Sequence, residues 1–233
     1  MTRRFYKTVE TVAEEGGHGI RLDGRPLPTT SRRRLVLPTA ALAAAIAAEW
    51  QAQGDKVEPL TMPLTRLANT GIDRVADDRP RYVEEILRHL QTDTLAYWSP
   101  APADLAARQA AVWTPLLDWV GEQLGHRLAV TTGIVAQPQA PGLAMALAAR
   151  LEPRSDLALA GLQTLVSATG SAVVALALEA GRLAPADAFQ AAYLDELYQA
   201  EIWGADQEAE QRRQAIAEDL VQTTLFLQLL DGQ

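Results

Sequence analysis

The sequence predicts an α+β chain: a small antiparallel β-rich N-terminal domain, residues 1–98, followed by a mainly α-helical C-terminal domain, residues 99–233. Three observations carry this. Residues 5–37 contain short runs in which apolar and polar side chains alternate between turn signals, the period of half-buried strands. The later chain repeats its apolar residues at three- and four-residue spacing, the period of helices with a covered face. Between them Ser99-Pro-Ala-Pro-Ala-Asp104 is Pro-rich, and Asp104 stands near the start of the next helical run, as befits a linker.

Each element follows in order. Gly16-Gly17 separates two β runs, and Asp23-Gly24 is a tight-turn signal between "GIRL" and "RPLP". Ile20 and Leu22 flank Arg21, and Leu35 and Leu37 alternate with Arg34 and Val36. Arg32-Arg33-Arg34 reads as the solvated start of a strand. A helix opens at a Thr39 cap, carries Leu42, Ile46 and Trp50 along one side, and stops by Gly54. Glu49, seven residues after Leu42, projects onto that same apolar side. Pro59 and Pro63 interrupt the pattern before a further helical run. Residues 79–91 are amphipathic, with Tyr82, Ile86 and Leu90 aligned, and 92–98 read as a strand returning to the meander. Beyond the linker, Trp113, Leu116, Leu117 and Val120 mark a helix, and 126–133 hold one short strand. Helices follow near 142–151, 155–168 and 171–180. One more opens at Pro185, and the last runs from about Asp206 to Leu230.

The stretch "AAYLDELYQAEIWGADQEAEQRR", 191–213, poses the functional question. Read as one continuous helix, Phe189, Tyr193, Leu197, Ala200 and Trp203 share a face, and Glu196 falls inside it. Leu194, Tyr198 and Ile202 form a second apolar stripe. A helix covered on two sides packs one stripe into its own core. The other goes into a second layer or offers it to a partner, a role that suits the aromatic side chains of Tyr193, Tyr198 and Trp203.

Composition narrows the function. A net charge of −8 and a pI near 4.9 argue against nucleic acid or an anionic membrane surface as partner. With no cysteine there is no disulfide, thiolate metal site or Cys nucleophile. The most apolar runs, 39–48 and 171–181, are too short for a bilayer, which takes about 20 residues. The N-terminal residues lack the apolar core of a secretion signal. These features predict a soluble cytoplasmic protein. There is no Gly-rich phosphate loop, and "SATGS" (167–171) lacks the Gly-x-Ser-x-Gly order, reading instead as a break between helices. His18, His89 and His126 show no metal-ligand spacing. Glu49 and Glu196 remain as acid/base candidates. Either they serve a carboxylate-dependent hydrolase or lyase, or each is matched to a cation or to backbone donors, with Arg66, Arg74 and Arg150 as the available arginines. The second reading is favoured, because unpaired burial of charge costs too much.

Four stretches, in order, resemble one family: "FYKTVE", "LDGRPLPTTSRRRLVLPTAALAAAIAAEWQAQ", "EPLTMPLTRLANTGID" and "DELYQAEIWGADQEAE". They are similar to the assembly chaperones that handle the alpha subunit of the F-type ATP synthase catalytic sector, whose mitochondrial member is F-one complex assembly factor two. The resemblance covers most of the chain; 99–185 contribute little. It implies a non-enzymatic, cofactor-free, bacterial cytoplasmic chaperone. Such a protein is a monomer that shields the free alpha subunit from aggregation until it meets beta. The family's paired acids, aromatic-Gln step and Trp-Gly fall on Asp195-Glu196, Tyr198-Gln199 and Trp203-Gly204. Its Glu-Trp pair falls on Glu49-Trp50, and Arg66 lies within the matching "PLTRLANT". The first acid is Asp where the family usually has Glu, and a His-Asp pair that follows Trp-Gly in some members is absent here.

Overall fold

The computed structural model describes residues 2–204 and 206–232. In chain order the elements are β1 (Thr2–Arg3), β2 (Val9–Glu14), β3 (Gly17–Leu22), β4 (Arg25–Pro26), α1 (Ala40–Gln51), β5 (Lys56–Val57), α2 (Pro63–Asn69) and α3 (Arg79–Gln91). Then come β6 (Tyr97–Trp98), α4 (Ala103–Leu124), β7 (Thr131–Thr132), α5 (Pro141–Leu151), α6 (Asp156–Thr169), α7 (Ala172–Glu179), α8 (Pro185–Ala192), α9 (Leu194–Trp203) and α10 (Gln207–Leu230). The class is α+β: a small antiparallel sheet, then a mainly helical chain. Two compact units emerge. One holds Met1–Arg79, Ser155–Gly161 and Gln222–Gln233, the other Pro80–Arg154 and Leu162–Val221. This division differs from a single break after residue 98. Residues 80–98 group with the helical unit, and two later segments group with the first.

In the first unit, β2, β3 and β4 form the antiparallel meander, with Val9 opposite Leu22 and Thr11 opposite Ile20. Asp23 and Gly24 turn at φ 49° and 75°, the paired positive angles that an Asp-Gly hairpin turn supplies. Gly17 is required by close approach: a β-carbon there would strike the Leu37 carbonyl. His18 and Leu37 exchange backbone hydrogen bonds of 2.8 Å beside it. α1 starts where Thr39 Oγ1 accepts from the Leu42 amide at 3.2 Å, and buries Leu42, Ala43 and Ile46 on the sheet. Leu157 and Phe226 belong to the same core although they lie far along the chain. Thr39 Oγ1 also donates to the Leu229 carbonyl at 2.5 Å.

In the second unit α7 is the centre. Residues 172–178 are all buried, as expected of a helix apolar on every side. α4 contributes buried Trp113, Leu116 and Val120, and α5 contributes Leu143, Leu147 and Leu151. "SATGS" does break two helices: Gly170 turns at φ 64° and Ser171 caps α7, its Oγ accepting from Val174 N at 3.0 Å. One expectation fails. The 92–98 segment does not return to the meander, because Tyr97 and Trp98 pair in parallel with Thr131 and Thr132. The reason is Asp93, wholly buried, whose carboxylate accepts from Ser171 Oγ at 2.7 Å and Val173 N at 3.1 Å. That bond set ties the segment to the N-terminal end of α7.

Candidate functional site

Residues singled out by the sequence fall in both units. Glu49, Trp50 and Arg66 lie in the first; Asp195, Glu196, Tyr198, Gln199 and Trp203 lie in the second.

Glu49 does project inward, and it is compensated by donors. Pro63 opens α2 and has no amide to offer, so the next two amides are the ones left without an intrahelical acceptor. Glu49 Oε1 accepts from Leu64 N at 2.7 Å; Oε2 accepts from Thr65 N at 2.8 Å and Thr65 Oγ1 at 2.6 Å. Burial pushes its carboxyl pKa up, against the pull of these bonds. Arg66 is exposed, forms no ion pair among the described residues, and acts on Glu49 only as the weakest of these influences. Trp50 is half-buried against the core, its ring 5.6 Å from that of Tyr6, whose hydroxyl donates to the Trp50 carbonyl at 2.7 Å. Its own Nε1 is buried without a hydrogen-bond partner among the described residues.

The helix expected to carry one face unbroken from Phe189 to Trp203 is interrupted. α8 ends at Ala192, Tyr193 leaves helical geometry at φ −106° and ψ 18°, and α9 begins at Leu194. The face drawn from Phe189 to Trp203 is therefore divided. Phe189 and Tyr193 stack at 4.9 Å, and the Tyr193 hydroxyl donates to the Ala168 carbonyl at 2.7 Å. On α9 the buried stripe is Leu194 and Tyr198, while Ile202 is 54% and Trp203 81% exposed.

Glu196 is consequently only partly inward. Its partners are Arg212 Nη2, at 2.9 and 2.8 Å, and Arg213 Nη1, at 3.2 Å. None of Arg66, Arg74 or Arg150 takes that role. Arg213 is itself 5% exposed and also holds Glu210 at 2.7 Å. The adjacent cations of "EQRRQ" were visible in the sequence. Their meeting with a residue sixteen positions earlier depends on how α10 returns along α9.

The rest of α9 is pinned to α4. Fully buried Gln109 donates from Nε2 to Asp195 Oδ1 at 2.7 Å and accepts the Ser99 amide at 2.8 Å. Asp195 is raised in pKa by burial, with the Gln109 bond opposing. The Tyr198 hydroxyl donates to Asp104 at 2.8–2.9 Å. Arg108 lies 5.2 Å from the Tyr198 ring centroid and pairs with Glu201 at 2.7 Å. Gln199 is exposed. So this network holds α9 while Ile202 and Trp203, just before Gly204 at φ 89°, face outward.

Chemically, neither glutamate is arranged as an acid/base group. Three donors take up Glu49, and two guanidinium groups take up Glu196. Sequence reasoning missed Asp93, Gln109 and Arg213. The signal for Asp93 was an Asp two residues before the Leu95 amide that it caps, at 3.0 Å. Among the described residues no group of three His, Cys, Asp or Glu could hold a metal ion, and no helix is long and apolar enough to cross a membrane.

Comparison with known proteins places these features in a family. Residues 3–121 match the family described as ATP12 chaperone protein. The chain is 28% identical over 219 residues to the mitochondrial protein atp12 of Schizosaccharomyces pombe, covering 89% of this chain and 75% of that one. It superimposes on the crystal structure of Atp12 from Paracoccus denitrificans with a TM-score of 0.93, at 38% identity and 98% coverage of both chains. A structure from Agrobacterium tumefaciens gives 0.91 at 41% identity, covering 98% of this chain and 85% of that one. Sequence and fold agree along the length of the chain, and it belongs to the ATP12 chaperone family.

Proposed function

We propose that this ATP12-family chaperone serves assembly of the ATP synthase by binding the free alpha subunit of its catalytic sector, keeping it from aggregating until it pairs with beta. The observation that carries this reading is Trp203. A large aromatic side chain, 81% exposed, is held on a helix that Tyr198, Asp195 and Glu196 fix to its neighbours. Exposed aromatic groups on a rigid support are the usual anchors of protein recognition. Asp195, Glu196, Tyr198 and Gln199 then position or flank the anchor, and Glu49, Trp50 and Arg66 maintain the first unit. The protein acts as a monomer in the bacterial cytoplasm, without catalysis, cofactor or nucleic acid.

Light scattering of isolated alpha subunit tests this. Stoichiometric protein suppresses aggregation without nucleotide, and Trp203→Ala weakens capture at least tenfold at an unchanged melting temperature. A strict need for ATP hydrolysis by this protein, or full capture by Trp203→Ala, overturns the respective claim.

A further inference from the structure

Arg32 sits in the first unit with a backbone that its side chain does not favour. Its φ is 64°, the left-handed region where glycine or asparagine normally completes such a turn. The turn is closed by Arg32 N to the Thr29 carbonyl and Thr29 N to the Arg33 carbonyl, both 2.9 Å. It is also stapled from beneath. Buried Asp73 accepts from Thr29 Oγ1 at 2.6 Å and from Ser31 N at 2.8 Å. The tertiary structure thus imposes a conformation that arginine rarely adopts.

The three arginines here are not equivalent. Arg33 is taken up by Asp77 at 2.5 Å and by the Ile72 carbonyl at 2.8 Å. Arg34 pairs with Glu14 at 3.0 Å. Arg32 is exposed and has no ion pair among the described residues. It lines a hollow of about 360 Å³ together with Pro26, Leu27, Pro28, Leu35 and Glu14. That volume is at the small end for a ligand site, enough for a side chain or two and too little for a large cofactor. The charge at the hollow favours an acidic visitor: its lining carries Arg32, Arg33 and Arg34 against Glu14 alone, and Arg32 is the one not taken up by an ion pair among the described residues.

We propose that this hollow is a docking site for an acidic peptide segment of a partner protein. Arg32 takes a carboxylate, and the proline walls take the neighbouring apolar side chain. Glu14, already on Arg34, stands as an internal competitor and keeps the affinity moderate. The site does not depend on the partner being the alpha subunit.

The test is an amide NMR titration of the full chain with the capped peptide Gly-Glu-Leu-Glu-Gly, with Gly-Gln-Leu-Gln-Gly and inorganic phosphate as separate arms. The expected result is shifts at Leu27 and at residues 32–35 with the acidic peptide alone. Arg32→Gly weakens binding at least fivefold while its melting temperature stays equal or rises, because glycine relieves the turn; Arg32→Lys retains part of the binding. Equal shifts from the Gln peptide, or from phosphate at the same concentration, overturn the proposal. So does unchanged binding by Arg32→Gly, or a lowered melting temperature of that variant, which marks Arg32 as a structural residue.

Discussion

Glu49 and Glu196 pose one physical problem, a carboxylate set among apolar side chains, and the two units meet it differently. Glu49 is held by neutral donors at the start of a nearby helix. Glu196 is held by two guanidinium groups from a remote one. The difference shows in what each removal leaves behind: unsatisfied amides in the first unit, a buried cation in the second. Asp93 extends the comparison. It resembles Glu49 in being held by neutral donors with no ion pair among the described residues, but it is completely buried, and burial raises its pKa to about 6.

The largest effect is expected beside Glu49. Trp50→Arg removes a half-buried ring and places a guanidinium on the core, costing about 3 kcal/mol. Circular dichroism melting measures this. An unchanged midpoint with lost client binding would move Trp50 to the interface.

Asp93 comes next and has a pH signature. Its folded pKa lies above the unfolded value, so between about pH 4 and pH 6 the folded chain binds more proton. Its contribution to stability is therefore fully present at the acid side, falls as pH rises through that window, and is flat above it. The stability of the wild type minus that of Asp93→Asn should fall by about 2 kcal/mol from pH 4 to pH 7. Urea melts at fixed pH values decide; a difference independent of pH removes Asp93 as a titrating group.

Glu49→Ala strands the Leu64 and Thr65 amides and should cost about 2 kcal/mol. Glu49→Gln, which keeps one acceptor, should recover part of it. If both variants melt like the wild type, α2 has another cap.

Glu196→Lys sets a third cation against Arg212 and Arg213. Arg213 keeps Glu210, so the loss should be near 1–2 kcal/mol, with Glu196→Gln milder. We further propose that Glu196→Lys fails to complement a chaperone-deficient strain, whereas Glu201→Lys does complement it. Glu201 pairs with Arg108 in the open, and such pairs are worth less than about 1 kcal/mol. Full activity of Glu196→Lys at normal stability would show that fixing α9 is unnecessary for function.

The sequence by itself determined what short-range physics governs. Asp23-Gly24 turned because its residues accept positive φ. Thr39 and Ser171 capped helices because their hydroxyls reach amides three residues on. α1, α3 and α4 buried most of the stripes that their periodicity drew, with Trp50, Tyr82 and Leu117 only partly covered, and Glu49 faced inward as spacing required. The resemblance of four stretches to a chaperone family also lay in the sequence. Only the tertiary structure decided what depends on distant residues. It interrupted the helix face drawn from Phe189 to Trp203 at Tyr193, where the stacked Phe189 ring and the Ala168 carbonyl hold the side chain. It brought Arg212 and Arg213 to Glu196, drew 92–98 to α7 through Asp93, and returned Leu157 and Phe226 to the first core. It left Trp203 outside and buried Tyr198, a choice between core and partner that spacing alone had left open. Periodicity reports which side of a helix is apolar. Where a helix ends, and which far segment covers that side, follow from long-range packing and the satisfaction of buried polar groups.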